Sequence, residues 1–428
     1  MERLVIRGGL PLTGEIVPAG NKNGALPIVA AALLTDEPVV LRNVPRIGDI
    51  ESMLEIMEGL GADVSWDGDV LRVQAAEIRT PRLDPDLARG IRASILFAGP
   101  LLARHGAAEV PPPGGDVIGR RRLDSHFLAF AALGAHVDAG EDAYRVSAPS
   151  GGLRGTRIFL DEASVTATEN AVMAAVLADG DTVIENAACE PHVQDLCRML
   201  AGMGARVDGI GTNRLEVGGV PRLHGVDHTV GPDHIEVASF IALAAVTGGR
   251  LAIRDTVPED LRMTCHTFQR LGVRVEFDGR TCIVPANQEL AVVDDMHEAI
   301  AKIDDGIWPA FPADLTSIAV ALATQAQGTV LIFEKMFENR LFFVDKLVTM
   351  GARIILCDPH RVVVSGPTRL RGASVSSPDI RAGMAMLIAA VCAEGETTIY
   401  NVGQIDRGYE RIDERLAALG ADVRRLPA

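Results

Sequence analysis

The chain has 428 residues, a formal net charge of −16 and 48% hydrophobic residues. An excess of carboxylates on this scale disfavours nucleic acid or an anionic membrane surface as a partner, and the apolar content is ample for two hydrophobic cores. The longest strongly apolar run, around Met384 to Ala393, is about half of what a membrane span needs, so no membrane segment is expected.

Met1-Glu2-Arg3-Leu4 leads directly into a strand, with no signal peptide expected. Asn21-Lys22-Asn23-Gly24 then opens an Ala-rich helix predicted from Ala25 to Leu34, where a lysine beside a helix N-terminus suits a phosphate or carboxylate. Ile50, Met53, Leu54, Ile56, Met57 and Leu60 follow at the spacing of one amphipathic helix face. That helix stops at Leu60-Gly61-Ala62, since glycine takes a left-handed backbone without strain. Asp67-Gly68, between Val64–Trp66 and Val70–Val73, predicts a hairpin.

The same unit recurs along the chain. Its glycine stop returns at Leu133-Gly134-Ala135, Met203-Gly204-Ala205, Leu271-Gly272-Val273, Met350-Gly351-Ala352 and Leu419-Gly420-Ala421, at intervals of 68 to 79 residues. The residue three before each Leu or Met is Met57, Phe130, Leu200, Phe268, Leu347 or Leu416, apolar in every copy. The companion Ala-rich helices are predicted at Ile91 to Ala103, Asn170 to Ala178, Ile235 to Val246, Ile318 to Ala326 and Ile380 to Ala393, buried because they are apolar on most faces. The sixth unit breaks off at Asp422-Val423-Arg424-Arg425-Leu426 without a second hairpin strand. Arg3-Leu4-Val5-Ile6 and the Gly8-Gly9-Leu10-Pro11-Leu12 after it match Arg214–Val217 and Gly218–Leu223, so the N-terminal strand is predicted to close that unit. Three units then make a domain over residues 22–230, and three more a discontinuous domain over 1–21 plus 231–428.

Features found in only one copy are where chemistry is expected. Pro111-Pro112-Pro113-Gly114-Gly115-Asp116-Val117-Ile118-Gly119-Arg120-Arg121-Arg122 interrupts the second unit before a repeat helix. It reads either as a mobile surface connection with a solvated charge run, or as a loop closing over an anionic ligand with Asp116 at its tip. Arg92 stands at the start of an apolar helix, as do Asp379-Ile380-Arg381 and Ile405-Asp406-Arg407-Gly408-Tyr409 in the last unit. Asp314, in Phe311-Pro312-Ala313-Asp314-Leu315, is either a helix cap or a functional carboxylate. Basic residues at several helix entrances imply a shared site that gathers negative charge. The six cysteines form no C-x-x-C pair and the ten histidines no metal-ligand spacing, which points to reduced thiols, a cytoplasmic location and a non-metal mechanism.

The segments K-N-x-A-L-P, P-G-G-x-x-I-G, F-P-x-D-L, F-E-N-R and I-D-R-G-Y-E-R-I occur in an order that resembles, end to end, the UDP-N-acetylglucosamine 1-carboxyvinyltransferases, a family of enolpyruvyl transferases. The resemblance extends more distantly to the 5-enolpyruvylshikimate-3-phosphate synthases. It implies an α/β fold of two inside-out, barrel-like domains, each of three repeated βαβαββ units with pseudo-three-fold symmetry, with substrates bound in the cleft between them. The implied reaction adds the 3′-hydroxyl of UDP-N-acetylglucosamine to phosphoenolpyruvate and then expels phosphate, in the first committed step of peptidoglycan synthesis, without metal or organic cofactor. A monomer is the expected state.

Matched by motif, the resemblance implies that Lys22, Arg121 and Arg407 hold the phosphate of phosphoenolpyruvate with Asn23 and Arg92 close by. Arg340 and Arg381 then belong to its carboxylate side or to the closed cleft, and Asp379 is counted with the substrate-binding residues. The uridine nucleotide is implied to lie against Arg121, Arg122, Leu123, Asp124 and Ser125, against Glu162, Ala163, Ser164 and Val165, and against Met336. Asp314 matches the carboxylate that meets the attacking hydroxyl and is the candidate general base. Asp116 matches the loop acid that protonates C3 of phosphoenolpyruvate, a cysteine in most members and an aspartate in a minority, so resistance to the cysteine-alkylating epoxide fosfomycin is expected. To act as an acid, Asp116 must hold a proton, which closure over a phosphate-rich site favours by desolvation and like charge. The chain departs from the family at Thr166 (usually Gly), Ala313 (Thr), Arg122 (Pro), Cys189 (Arg) and Thr316-Ser317 (a Gln-containing start). Three of these lie on the nucleotide side, which leaves open a different acceptor, such as another UDP-sugar or shikimate 3-phosphate, or a nucleotide-sugar-binding paralogue without activity.

Overall fold

The six repeated glycines end six helices in one way. In the computed structural model, which describes residues 2–427 and leaves Met1 and Ala428, the outermost positions of the expected discontinuous domain, outside the described residues, each of these glycines has a positive φ, between 85° and 109°. The next residue's N–H then reaches back to the carbonyl of the apolar position singled out in every copy: Ala62 to Met57, Ala135 to Phe130, Ala205 to Leu200, Val273 to Phe268, Ala352 to Leu347 and Ala421 to Leu416, at 2.9 to 3.1 Å. This Schellman closure satisfies a carbonyl that the helix end would otherwise strand, and only glycine takes the required φ without strain.

Past each stop the chain turns into an antiparallel hairpin whose second strand pairs with the strand before the amphipathic helix. That strand takes a parallel edge strand on its other side. The sheet Val39–Arg42, Val70–Gln74, Asp63–Asp67 is completed by the parallel strand Asp227–Thr229. Arg157–Phe159 and Ala301–Asp304 are the parallel edges of the third and fifth sheets, and Gly14–Ile16 that of the fourth. In the second sheet the edge is reduced to a single bridge, Arg82 to Glu109. Asn43, Asn186 and Asn401, each in left-handed backbone just after its strand, donate from Nδ2 to the edge segments at Val230, Leu160 and Ser377, at 2.8 to 2.9 Å. The strand missing from the sixth unit is supplied by Glu2–Arg7, which lies between Glu396–Tyr400 and Asp422–Pro427 and is antiparallel to both.

The Ala-rich helices lie at the centre. His234–Thr247 is buried continuously from His234 to Ala245 and Ile380–Cys392 from Ile380 to Val391, and these pack on one another and on Thr316–Ala323. Lys22–Ala31, Ala98–His105 with the 3₁₀ segment Arg92–Phe97, and Val165–Ala175 form the matching group. Sheets outside and apolar helices inside make each group an inside-out α/β barrel-like unit. Four of these helices start one to five residues earlier than expected, at Lys22, Val165, His234 and Thr316, because their first turns carry polar residues that the apolar pattern does not register.

The chain divides into two compact units: Gly20–Asp116 with Arg121–Gly231, and Met1–Ala19 with Val117–Arg120 and Pro232–Ala428. Relative to the domain bounds expected from the sequence, Gly20, Asn21 and Gly231 join the unit expected over 22–230, and the stretch Val117–Arg120 leaves it. Its own contacts account for this: Asn339 N–H donates to the Ile118 carbonyl at 2.9 Å, and Arg120 N–H to Glu338 Oε2 at 3.1 Å. Among the described residues no helix is long and apolar enough to cross a membrane.

Candidate active site

In the unit of Gly20–Asp116 and Arg121–Gly231, Asn21 caps the helix Lys22–Ala31, its side chain accepting from Gly24 N–H at 3.0 Å. Lys22, the first helical residue, is buried and places its ammonium 2.9 Å from Asp49 Oδ2. Asp49 lies in the first turn of Gly48–Leu60, where the sequence shows only an amphipathic stripe. Its carboxylate makes burial of the lysine tolerable and fixes the cation at a helix start, with Asn23 half-buried beside it.

The glycines of the Pro-Gly-Gly loop are dictated by close approach. A Cβ on Gly114 would come within 1.8 Å of the Arg89 carbonyl oxygen. Gly115, at φ +97°, lies on the Arg92 backbone, and Gly119, at φ +140°, on Glu338. Asp116 is half-buried between these pinning points. Arg92 Nη2 donates to the carbonyls of Arg121 at 2.7 Å and Arg122 at 3.2 Å, so it ties down the far limb of the loop. Burial and the like charge of the half-buried Arg121 push its pKa down to about 10.

Arg122, expected near the nucleotide, is exposed and bonds two carboxylates, Asp124 at 3.2 Å and Asp161 at 2.8 Å. Ser125 Oγ donates to the other Asp161 oxygen at 2.6 Å. Asp161, which sequence reasoning passed over, thus joins the segment Arg121–Ser125 to the loop of Glu162, Ala163, Ser164 and Val165. Leu123 is buried, Asp124 opens the helix Asp124–Ala132, and Ser164 caps Val165–Ala175.

Thr166 has a specific partner. The fully buried His126 is pushed down to about 3 by burial and by Arg92, so it is neutral. Its Nδ1 lies 2.8 Å from the Asn170 amide nitrogen, a donor, which assigns the ring proton to Nε2 and makes it donate to Thr166 Oγ1 at 3.1 Å. A glycine at 166 would leave this N–H without that acceptor.

In the other unit Asp314 is held by two buried arginines. Arg340 Nη2 donates to Oδ1 at 3.0 Å, while Arg381 donates to Oδ2 from Nε at 3.2 Å and from Nη2 at 3.0 Å. The helix caps at this point are Pro312 and Leu315, without side-chain bonds, so Asp314 is an ion-pair partner and not a cap. Burial alone would lower the pKa of Arg381; Asp314 and Tyr409 outweigh it and hold the guanidinium charged. Arg381 Nη1 also donates to the Tyr409 hydroxyl at 3.2 Å, and Ser239 stands 3.0 Å from the same oxygen. Asp379 caps Ile380–Cys392, accepting from the N–H groups of Arg381 and Ala382 at 2.9 Å, which orients Arg381. Ser317 Oγ donates to the Arg381 carbonyl at 3.0 Å, giving one departure from the family pattern a structural role. Arg407 is half-buried and donates to Gln404 at 2.8 Å, and Met336 is exposed.

Two buried guanidiniums converging on a carboxylate that remains about a quarter exposed form an arrangement few structural needs explain. It presents an anionic hydrogen-bond acceptor toward solvent, backed by fixed positive charge. In its own unit, Lys22 at a helix start, with the Arg92–Arg121 pair, presents cations suited to phosphate.

The sequence model of EPSP synthase (3-phosphoshikimate 1-carboxyvinyltransferase) matches residues 6–416. The chain is 55% identical over 99% of its length to the UDP-N-acetylglucosamine 1-carboxyvinyltransferase of Treponema denticola, covering 99% of that protein. It is 57% identical, over 99% of this chain and 98% of the relative, to the protein of the same name from Bradyrhizobium diazoefficiens. Among solved structures, the enolpyruvyl transferase NikO from Streptomyces tendae superposes with a TM-score of 0.87 at 26% identity, covering 100% of this chain and 99% of that one. Repeats, fold and full-length likeness agree: the chain belongs to the EPSP synthase family of enolpyruvyl transferases, alongside the UDP-N-acetylglucosamine 1-carboxyvinyltransferases.

Proposed function

We propose that the chain transfers the enolpyruvyl group of phosphoenolpyruvate to the 3′-hydroxyl of UDP-N-acetylglucosamine, the first committed step of peptidoglycan precursor synthesis. The carboxylate of Asp314, clamped by Arg340 and Arg381, is the observation that carries this reading most directly. Asp116 gives a proton to C3 of phosphoenolpyruvate as the sugar oxygen bonds to C2, and Asp314 takes the proton leaving that hydroxyl. The tetrahedral adduct then returns a proton from C3 to the Asp116 carboxylate and breaks the bond from C2 to the phosphate oxygen, giving the enol ether and inorganic phosphate, which carries away the proton held by Asp314. Lys22, Arg121 and Arg407 neutralise the phosphate, while Asn23 and Arg92 support them. Arg340, Arg381 and Asp379 fix the carboxylate side. Arg122–Ser125, Glu162–Val165 and Met336 receive the nucleotide.

The chemistry moves protons and a leaving phosphate only, so no cofactor is needed. The enzyme acts in the cytoplasm as a monomer. Phosphate release measured with phosphoenolpyruvate and a panel of acceptors tests the acceptor: UDP-N-acetylglucosamine is expected to support turnover. Release with shikimate 3-phosphate or another UDP-sugar alone would replace this acceptor, and release with none would remove the transferase reading.

A further inference from the structure

Behind Arg340 lies a second pair of carboxyl groups with no place in the mechanism above. The parallel strands Ala301–Asp304 and Gly328–Phe333 end in register, Asp304 opposite Phe333. The following residues, Asp305 and Glu334, are therefore delivered side by side, 2% and 0% exposed. Asp305 Oδ1 accepts from Lys335 N–H and Glu334 Oε1 from Phe337 N–H. Their other oxygens, Asp305 Oδ2 and Glu334 Oε2, are buried and unsatisfied, as are Thr316 Oγ1 and Arg340 Nε. The Glu334 carboxyl faces the Asp305 carboxyl and the Thr316 hydroxyl.

Two ionised carboxylates only accept hydrogen bonds, so they cannot satisfy each other in a buried site. A single proton between them turns two stranded acceptors into a donor and its acceptor. The distances around Arg340 fit that state: it lies 3.0 Å from the partly exposed Asp314 and 3.8 Å from the fully buried Glu334. A fully ionised Glu334 would compete with Asp314 for the guanidinium. Burial first, and then the Asp305 charge, push the Glu334 carboxyl up to about 8 against the opposing pull of Arg340.

We propose that Glu334 and Asp305 hold one proton between them, and that this pair is a positioning element that leaves Arg340 committed to Asp314. The role in turnover rests on the transferase reading; the shared proton does not. The remaining neighbours are accounted for. His360 Nδ1 bonds the Glu334 carbonyl at 2.7 Å, Lys302 and Lys335 pair with Asp304, and Arg361 pairs with Asp358.

Glu334→Gln replaces the protonated acid by an amide that can donate to Asp305, and Glu334→Ala removes the group. A carboxyl whose pKa is raised by folding contributes stability at low pH that is lost as pH rises through the folded value. Wild type is therefore expected to lose melting temperature relative to Glu334→Gln between about pH 5 and pH 8. Its infrared difference spectrum against Glu334→Gln should show a protonated carboxyl band. Glu334→Gln should keep kcat near wild type, whereas Glu334→Ala should lower kcat by about tenfold to a hundredfold with KM little changed. A Glu334→Gln enzyme as impaired as Glu334→Ala, with parallel melting profiles and no carboxyl band, would overturn the proposal in favour of an ionised Glu334. If the transferase reading were wrong, none of the enzymes would turn over, and the melting and infrared comparisons would still decide where the proton is.

Discussion

Asp116, the proposed acid, distinguishes the proposed chemistry from the scaffold at the scale of one residue. It lies on a loop that no other repeat contains, and the loop's glycines exist to bring its backbone onto Arg89, Arg92 and Glu338. In the proposed mechanism, replacing Asp116 by Asn removes the group that delivers a proton to C3 while keeping nearly the same shape; turnover should fall by at least about 100-fold with nucleotide-sugar affinity nearly unchanged. An aspartate offers no thiolate to an epoxide. Fosfomycin should therefore cause no time-dependent inactivation of wild type, while Asp116→Cys should become sensitive, read as a covalent adduct by intact mass. Asp314→Ala leaves Arg340 and Arg381 facing each other without an anion and should cost about 3 kcal/mol of stability by denaturant melting, less to the extent that water reaches the site. Among single residues, the cations and the two carboxylates proposed for the mechanism stand out in the sequence because they depart from a repeat. Asp49, Asp161, Asp305 and Glu334 do not, since an acidic residue in an acidic chain carries no signal until the fold puts a lysine, an arginine or a second carboxyl beside it.

Helix ends are written locally, and they were the most legible elements. A glycine stop needs only its own φ and an apolar residue about one turn earlier, so each of the six could be found from sequence alone. Gly134→Ala and Gly272→Ala test how much of each stop is conformation and how much is space. At Gly134 an added Cβ meets nothing closer than Pro149 at 3.9 Å, so the loss should be about 1 to 2 kcal/mol from the left-handed backbone alone. At Gly272 it would come within 2.4 Å of the Ala291 backbone nitrogen, and the loss should be clearly larger. Equal losses would mean that the surrounding chain yields at no cost. Helix starts were read less well: Lys22, Thr166 and Thr168 belong to first turns whose polar residues interrupt the apolar pattern. The parallel edge strands were missed because three residues such as Asp227–Thr229 have no periodicity to detect, and their partners are far away in sequence.

Across the whole molecule, one βαβαββ unit used six times supplies the scaffold, and the chain's first strand completes its last sheet. That closure was legible because a strand was missing at one end and a matching motif was present at the other. Deleting residues 1–7 should leave Asp422–Pro427 without its pairing partner and expose one edge of Glu396–Tyr400. Amide hydrogen exchange should then show lost protection in both strands, with Val39–Arg42 and Val70–Gln74 in the other unit much less affected. The proposed function is addition and elimination at phosphoenolpyruvate, with a loop aspartate as the proposed acid. A single-turnover experiment tests that claim most directly: mix enzyme with phosphoenolpyruvate and UDP-N-acetylglucosamine, quench, and follow phosphate and product mass for wild type and Asp116→Asn. Wild type should release one phosphate for each enolpyruvyl ether formed, and Asp116→Asn should bind the nucleotide sugar yet release almost none. A silent wild type, or an Asp116→Asn enzyme turning over at the wild-type rate, would contradict the account.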